Sequence, residues 1–270
     1  MTQANVVPQV AVITGGTKNI GLAIATHFLK KSWAVMVLSR NQSPVDQLLQ
    51  AAAESPGVLR LFNVDVTRPE AVKQAAAQVE QLYGRIDLLV NNAGGLCTSE
   101  PLLETAPAWF KSVLELNICA VFNTCHAFGH LIIRSRGKII NLSGGGATAA
   151  TEDGWNLAYS SAKAAVLRFT EALANQLKPH AVEVYAIDPG WVPSPEELEE
   201  MQSNPLEHRV DLSYIRSANE TPQLIDYLLE NGTPSISGKL LSVIDDYRMI
   251  IRRLSAAPNP DALKLRLAGL

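Results

Sequence analysis

The sequence predicts an α/β fold in which a mostly parallel sheet lies between two layers of helices. Short apolar runs of β-prone residues alternate along most of the 270 residues with longer segments whose apolar side chains recur at helical spacing. Strands and helices that alternate in this way form right-handed crossovers, which set the strands in parallel and cover both faces of the sheet. No linker of biased composition divides the chain, so we expect a single domain over residues 1–270.

The first strand and the first helix carry clear patterns. Residues 9–13 form a short apolar run that stops at Thr14 and two glycines, as a buried parallel strand stops at a turn. Helical spacing follows at Ile20, Ala23, Ile24, His27 and Phe28. Further strands are predicted near residues 33–39, 58–64, 86–91, 137–142, 182–188 and 238–244, and further helices near 42–54, 68–82, 107–131 and 156–178. Seven strands in this order predict a doubly wound sheet, the Rossmann fold.

Two late segments depart from the alternation. Residues 193–205 are rich in Pro and Glu, and we interpret 193–215 as a loop inserted between a strand and a helix, of the kind that covers a substrate. Residues 246–270 form a short C-terminal extension, and its part after Pro258 is expected to be loosely ordered.

Composition narrows the possible functions. Hydrophobic residues make up 47% and charged residues 18%, with a net charge of −3, which is typical of a globular protein and disfavours nucleic acid as a partner. No run of 18 apolar residues predicts a membrane span, and the N-terminus lacks the basic-then-apolar order of a signal peptide. The three cysteines, an odd number without paired spacing, are expected to be reduced thiols in a cytoplasmic protein.

The pair Tyr159 and Lys163 gives the first indication of chemistry. Residues four apart lie on one face of a helix, so the phenol and the amine would project into the same site. A neighbouring cation lowers the pKa of a phenol from its usual value of about 10, which suits proton transfer near neutrality. Taken alone, the same pair also fits an exposed helix face that carries a Tyr and a Lys.

A glycine turn at residues 14–21, between the first strand and the first helix, gives a second indication. Its glycines allow the backbone to approach a pyrophosphate, and the following helix N-terminus offers N–H groups and a partial positive charge. No acid lies between Met36 and Gln42, where NAD-binding proteins carry one for the ribose, whereas Arg40 and Lys18 stand nearby. Two cations suit a 2′-phosphate, so the sequence favours NADP(H) over NAD(H).

Further motifs follow the glycine turn in a fixed order. They are Asp65, the run Asn91-Asn-Ala-Gly94, Asn117, Ser143, Tyr159 with Lys163, and Pro189-Gly190. Each is common by itself, but together, from about residue 9 to 244, they resemble the short-chain dehydrogenase/reductase family. The resemblance implies a Rossmann fold and an enzyme that moves a hydride between NADP(H) and a ketone or secondary alcohol.

The resemblance also implies a role for each position. Tyr159 would be the general acid/base, Ser143 would bind and polarise the substrate oxygen, and Lys163 would bind the nicotinamide ribose and lower the Tyr159 pKa. Asn117 would hold a water that connects Lys163 with solvent. The catalytic residues are thus expected to be Asn117, Ser143, Tyr159 and Lys163. The cofactor-binding residues are expected to be Gly15, Thr17, Lys18, Asn19, Ile20, Gly21, Ser39, Arg40, Asp65, Val66, Asn92, Ala93, Gly94, Tyr159, Lys163, Pro189, Gly190, Val192 and Ser194.

The chain departs from the family pattern at several points. Asn19 stands where the glycine turn usually has a Gly; Asn tolerates left-handed backbone angles, and its amide is a candidate contact for a phosphate. Ser194 replaces the threonine expected after Pro189-Gly190 and keeps a hydroxyl. The last strand runs into Asp245 and Asp246 rather than an Asp-Gly-Gly turn, so different packing is expected there.

Substrate contacts are expected where the family varies, and the candidates are Gly95–Leu96, 144–146, Trp155, Trp191 and 195–215. The two tryptophans suit a bulky or cyclic ketone, or they pack as ordinary core residues. The Glu residues of the loop disfavour a strongly anionic substrate unless they face solvent. No metal is expected, because His126 and His130, which share i, i+4 spacing, have no acid between them as in a zinc-protease helix.

The predicted helices near 107–131 and 156–178 carry more apolar surface than one sheet face needs, which suggests subunit pairing. The resemblance implies a homotetramer, or a homodimer, formed through them. Two other functions stay open. One is a nucleotide-binding regulatory protein without turnover, which the joint presence of the four catalytic residues disfavours. The other is a sugar-nucleotide-modifying enzyme on the same scaffold, for which the chain is short.

Overall fold

Seven strands form one sheet in the computed structural model, which describes residues 8–40, 45–95, 101–148, 156–194, 197–199 and 215–264. The strands are β1 Val10–Thr14, β2 Ala34–Ser39, β3 Val58–Asn63, β4 Leu88–Asn91, β5 Lys138–Leu142, β6 Glu183–Asp188 and β7 Leu240–Ser242. Their order across the sheet is β3-β2-β1-β4-β5-β6-β7, and every pairing between neighbours is parallel. The predicted Rossmann fold is therefore confirmed.

Helices cover both faces of this sheet. They are α1 Asn19–Lys30, α2 Asp46–Ala53, α3 Pro69–Tyr83, α4 Pro107–Leu114, α5 Ala120–Ser135, α6 Leu157–Leu177, α7 Glu220–Asn231 and α8 Tyr247–Ala256. A π-helical turn, Glu115–Cys119, joins α4 to α5, and a short 3₁₀ turn, Lys178–His180, follows α6. The single helix predicted near 107–131 thus contains a π turn and extends to Ser135.

The sheet separates the two large hydrophobic cores. In β1, Val10 and Val12 pack in one core, with α3, α5 and α6, whereas Ala11 and Ile13 pack in the other, with α1, α2, α7 and α8. All five β1 residues are buried. A strand buried on both faces needs apolar residues at every position, which is why its sequence shows a continuous apolar run rather than an alternation.

The segment Pro107–Ser135 is long and apolar enough, by length and composition alone, to cross a membrane. In the fold, its most apolar stretch is half buried, and it packs against α3 and α6 as a core helix does. Its apolar character is therefore explained in large part by the core that it shares with the sheet.

The C-terminal residues that follow α8 are attached to β7 and α6, so the expectation of loose order after Pro258 is wrong as far as Lys264. The buried amine of Lys239 donates to the carbonyls of Asn259 at 2.6 Å and Ala262 at 2.7 Å. Leu240 N donates to Leu263 O at 2.9 Å, and the Lys264 amine lies 3.2 Å from Glu171. This segment therefore covers the last strand, whose edge would otherwise present free backbone groups.

Candidate active site

The residues predicted to bind the cofactor or to act in catalysis lie at the carboxyl ends of the strands. In a doubly wound sheet this edge is where ligands bind. Each strand from β1 to β6 contributes residues just after its end or in the helix that follows. They are Gly15 to Gly21 after β1, Ser39 and Arg40 at β2, Asp65 and Val66 after β3, Asn92 to Gly94 after β4, Asn117 in the π turn, Ser143 after β5, Tyr159 and Lys163 in α6, and Pro189 to Ser194 after β6.

The glycine turn is braced by the residues that follow β4. The Thr14 hydroxyl accepts the backbone N–H groups of Asn92 at 3.0 Å and Ala93 at 2.9 Å. In return, the Asn92 amide donates to the carbonyls of Thr14 at 2.8 Å and Gly15 at 3.0 Å. A Cβ on Gly21 would lie 2.2 Å from the Gly15 carbonyl oxygen, so only glycine allows α1 to start this close to the turn.

The start of α1 suits a phosphate group. No side chain caps this helix end, and its first turn carries no acidic residue. The N–H groups and the partial positive charge of the helix N-terminus are thus not neutralised by an acid of the helix itself. The close-packed glycine turn and this helix end fit the pyrophosphate of a dinucleotide.

Near the ends of β2 and β3, the side chains suit the adenosine half of such a cofactor. Thr17 and Ser39 bring their hydroxyl oxygens within 3.4 Å, and Arg40 is exposed beside them. Asp65 accepts hydrogen bonds from the backbone N–H of Thr67 at 3.0 Å and from its hydroxyl at 2.7 Å. Burial raises the pKa of Asp65, but these bonds and the nearby charge of Arg40 outweigh that effect, so its pKa lies below the ordinary value.

Tyr159 and Lys163 lie together at the end of β5. The Lys163 amine is buried, donates to the Leu142 carbonyl at 2.9 Å, and lies 5.4 Å from the centre of the Tyr159 ring. A Cβ on Gly144 would lie 2.4 Å from the Tyr159 hydroxyl oxygen. The phenol therefore rests against the backbone immediately after Ser143.

Ser143 offers a hydroxyl without a partner at this point. Its side chain is buried, and its Oγ has no hydrogen-bond partner among the residues that the structure describes. Buried hydroxyls nearly always have one, so an orphaned hydroxyl one residue before the backbone that the phenol contacts indicates a position prepared for a polar ligand atom. A Cβ on Gly145, two residues after Ser143, would meet nothing within 4 Å, so the backbone there faces open space.

Asn117 lies in the π turn between α4 and α5, a helix irregularity that is frequent at functional sites. Its amide nitrogen donates to the carbonyls of Gly95 at 2.8 Å and Val113 at 3.0 Å, and its Oδ1 accepts the Gly95 N–H at 3.1 Å. A Cβ on Gly94 would lie 2.8 Å from Asn117 Oδ1 and 3.3 Å from the Lys163 amine. The side-chain oxygen of Asn117 and the amine of Lys163 thus approach one point beside Gly94. The water-holding role of Asn117 stays a prediction.

A buried hydrogen-bond network below these residues was missed by sequence reasoning. Asn91 donates to Asn141 at 2.8 Å, Asn141 donates to Thr170 at 2.9 Å, and the Thr124 hydroxyl donates to Asn91 at 2.5 Å. Burial raises the pKa of the adjacent Cys125 thiol to about 12, so it stays protonated. The network ties β4, β5, α5 and α6 together. Asparagines inside otherwise apolar strands were the signal that could have revealed it.

After β6, hydrogen bonds to the backbone hold the segment from Pro189 to Ser194, which is expected to bind the cofactor. Gly190 N donates to Asp188 Oδ1 at 3.0 Å, and Arg216 N donates to Trp191 O at 2.7 Å. Burial raises the pKa of Asp188, the Gly190 N–H lowers it in part, and the charge of Asp245 adds to the rise. Asn19, whose φ of +47° is left-handed as expected, donates its amide to Val192 O at 3.0 Å.

Part of the predicted substrate site lies outside the described residues, namely Leu96, Trp155, 195–196 and 200–214. Trp191 is partly buried and forms a single bridge with Ile215. Within the described ranges, no group of three His, Cys, Asp or Glu side chains is placed to hold a metal ion.

Comparison with known proteins agrees with this geometry. The family model for the short chain dehydrogenase matches residues 9–204. The L-fucose dehydrogenase of Oryctolagus cuniculus is 34% identical over 203 residues, which are 73% of this chain and 68% of the relative. Among solved structures, an actinorhodin polyketide ketoreductase variant with NADPH gives a TM-score of 0.76 at 26% identity, covering 87% of this chain and 95% of the other. An NAD⁺-bound xylitol dehydrogenase gives 0.76 at 25%, covering 87% and 96%.

Proposed function

The chain belongs to the short-chain dehydrogenase/reductase family, and from this premise we propose that it is an NADP(H)-dependent oxidoreductase that interconverts a ketone and a secondary alcohol. One observation carries the proposal. The Tyr159 hydroxyl lies against the backbone next to Ser143, whose buried hydroxyl has no partner in the described part of the chain, and the Lys163 amine is fixed beside the same phenol.

These residues can perform the proton half of a carbonyl reduction. The Ser143 hydroxyl donates to the carbonyl oxygen and stabilises the negative charge that develops there. Tyr159 then donates its proton to that oxygen, and in the reverse direction it accepts the proton of the alcohol. The buried cation of Lys163 favours the phenolate that is left after proton donation. When bound, the nicotinamide supplies the hydride.

The proposed cofactor site runs along the carboxyl edge of the sheet. The glycine turn and the N-terminus of α1 bind the pyrophosphate, Asp65 and Val66 flank the adenine, and the segment after β6 frames the nicotinamide. Arg40 is the basis for preferring NADP(H), since its guanidinium can pair with a 2′-phosphate. The relatives do not decide this point, because one was solved with NADPH and another with NAD⁺.

We further propose that the protein is cytoplasmic and forms a homotetramer or a homodimer through α5 and α6. Phe122 on α5 is 54% exposed and stacks on His126 with ring centres 5.6 Å apart, which leaves an aromatic surface on the outside of the helix. An exposed apolar surface of this kind is typical of subunit contacts. Residues 1–270 are proposed to form one catalytic domain.

The test is turnover with purified protein. A panel of sugars, polyols and polyketide-like ketones, chosen because the relatives are named for fucose, xylitol and a polyketide, is offered with NADPH or NADP⁺, and absorbance of the reduced cofactor is followed. We expect turnover of at least one compound, abolished in Tyr159→Phe. Tight cofactor binding without turnover across the panel would contradict the proposal and favour a regulatory protein.

A further inference from the structure

A single side chain joins two loops that lie on opposite sides of the proposed cofactor groove. The Asn19 amide, at the start of α1, donates to the Val192 carbonyl, after β6, at 3.0 Å. The two residues are 173 positions apart in the chain. This bond is a contact between the phosphate end and the nicotinamide end of the groove.

The sheet order shows how far this bond reaches. β4 and β5 lie between β1 and β6, so the strands that lead to the two loops are three strand spacings apart. At about 4.8 Å for each spacing, that separation is about 14 Å. A hydrogen bond between the loops therefore requires that they lean towards each other over the ends of β4 and β5, where Asn92 and Ser143 lie.

The other contacts of this segment come from its own side of the sheet. The Trp191 carbonyl accepts the N–H of Arg216, and the Gly190 N–H is bound by Asp188. These contacts hold the segment next to β6 and α7. Among the described residues, the hydrogen bond from Asn19 to Val192 is the contact that sets the distance between the segment after β6 and the glycine turn.

The residue type explains why this chain can make the bond. The backbone at position 19 has a φ of +47°, a left-handed conformation that glycine adopts freely and that Asn tolerates better than most residues. Glycine at this position would keep the turn but has no side chain. Asparagine keeps the turn and adds an amide that reaches Val192.

We propose that Asn19 is a positioning residue, which holds the Val192 segment against the glycine turn and so fixes the two walls of the cofactor groove at one separation. The proposal rests on the proposed function for the identity of the ligand. A groove that is ordered before binding loses less conformational freedom when the dinucleotide binds. Without the Asn19 amide, the groove binds the cofactor more weakly while the proton-transfer residues stay in place.

The test compares Asn19→Gly with the wild type. Glycine retains the left-handed turn and removes the side chain that carries the amide. The matched control is Asn231→Ala, which removes an exposed asparagine amide that donates to a backbone carbonyl, that of Tyr227 at 3.0 Å, far from the groove. Hydrogen exchange of the backbone around residues 190–194 is measured without cofactor, and the dissociation constant of NADPH is measured by fluorescence titration.

We expect Asn19→Gly to accelerate exchange in this segment and to raise the NADPH dissociation constant by about 2- to 10-fold, as the loss of one hydrogen bond allows. Asn231→Ala is expected to change neither the exchange around residues 190–194 nor the dissociation constant. Unaltered exchange around residues 190–194, or tighter cofactor binding in Asn19→Gly, overturns the proposal. If the wild type binds neither NADPH nor NADH, the proposed function fails, whereas the exchange comparison without cofactor still decides the role of Asn19.

Discussion

Two tyrosine–lysine pairs stand at opposite ends of the sheet, and only one of them forms a candidate active site. At the carboxyl end, the Lys163 amine lies 5.4 Å from the Tyr159 ring centre; towards the amino end, the Lys138 amine lies 6.0 Å from that of Tyr185. The Tyr185 hydroxyl donates to Glu183 at 2.7 Å, and Lys138 forms an ion pair with the same carboxylate. The second pair is therefore satisfied within itself.

The pKa of Tyr185 reflects this difference. Burial raises it, and the adjacent negative charge of Glu183 raises it further, so the phenol keeps its proton. At the other end, the Tyr159 hydroxyl lies against the backbone at Gly144, and the buried hydroxyl of the preceding residue, Ser143, has no partner among the described residues. A lysine near a tyrosine does not by itself indicate an active site. The additional observation at the carboxyl end is the buried Ser143 hydroxyl, which has no partner among the described residues.

The sharpest test of this comparison is to remove each phenolic hydroxyl in turn. Tyr159→Phe removes the proton donor and is expected to lower the turnover rate by about 10²- to 10⁴-fold. Tyr185→Phe leaves the partly buried Glu183 carboxylate with one hydrogen bond fewer, which is expected to reduce the free energy of unfolding by about 1–3 kcal/mol while turnover persists. Steady-state rates and thermal unfolding of both variants are measured together. A loss of turnover in folded Tyr185→Phe would contradict the distinction.

Ser143 provides the next largest expected effect. Ser143→Ala removes one donor to the developing oxyanion, and the rate should fall by about 10²- to 10³-fold. Because the hydroxyl has no partner among the described residues, its removal should leave the melting temperature nearly unchanged. The control is Ser135→Ala, since the Ser135 hydroxyl donates to the Ile86 carbonyl near the amino end of the sheet. That variant should lose stability and keep its rate, and the reverse pattern would refute the assignment.

The comparison extends to the adenosine end of the groove through Arg40. Arg40→Ala removes a charged contact to a 2′-phosphate, so KM for NADPH should rise by about 10- to 100-fold while KM for NADH changes little. Arg60→Ala, which removes an exposed charge from β3, controls for net charge. Kinetics with both cofactors check the prediction, and an equal rise of the two KM values would argue against a 2′-phosphate contact.

The fold could be predicted from the sequence because the central strands β1, β2 and β4 are buried almost throughout. The continuous apolar run of β1 and the ordered motifs at strand ends identify a parallel sheet without any tertiary information. The predicted strand limits are close to the observed ones for the same reason: glycines, prolines and polar residues stand where the strands end.

Features that depend on contacts between distant residues could not be predicted. The π turn at Asn117 leaves no mark in an apolar pattern that is read at helical spacing. Lys239 looks like an ordinary charged residue, yet it is buried because two carbonyls of the C-terminal segment surround its amine. Similarly, the reach of Asn19 to Val192 depends on how two loops lean over the sheet, which no local pattern records.

The smallest expected effect is on stability, and it comes from Asp188, which lies at the carboxyl end of the sheet. It tests whether the two ends of the sheet also differ in how their acidic side chains are paired. The pKa of Asp188 is raised by burial and by Asp245, so the folded state favours the protonated carboxyl. The stability that this provides is present below its unfolded pKa of about 4 and is lost as the pH rises through the raised pKa. Asp188→Asn keeps an oxygen that can accept the Gly190 N–H and removes the charge. Its melting temperature should therefore exceed that of the wild type near neutral pH, and the difference should disappear in acid.

Asp87, near the amino end of the sheet, is the matched control for this pH profile. Its carboxylate accepts the Val10 N–H at 2.8 Å and pairs with Arg85, whereas Asp188 accepts the Gly190 N–H and forms no ion pair within the described residues. Asp87→Asn removes an ionised partner from that pair and is expected to lower the melting temperature near neutral pH. Thermal unfolding of both variants from about pH 4 to pH 8 measures the two effects. If the two melting temperatures change in opposite directions, the acids differ as the tyrosines do: the charge near the amino end of the sheet is paired, and the charge beside the groove is not. If they change in the same direction, the difference between the two ends holds only for Tyr159 and Ser143.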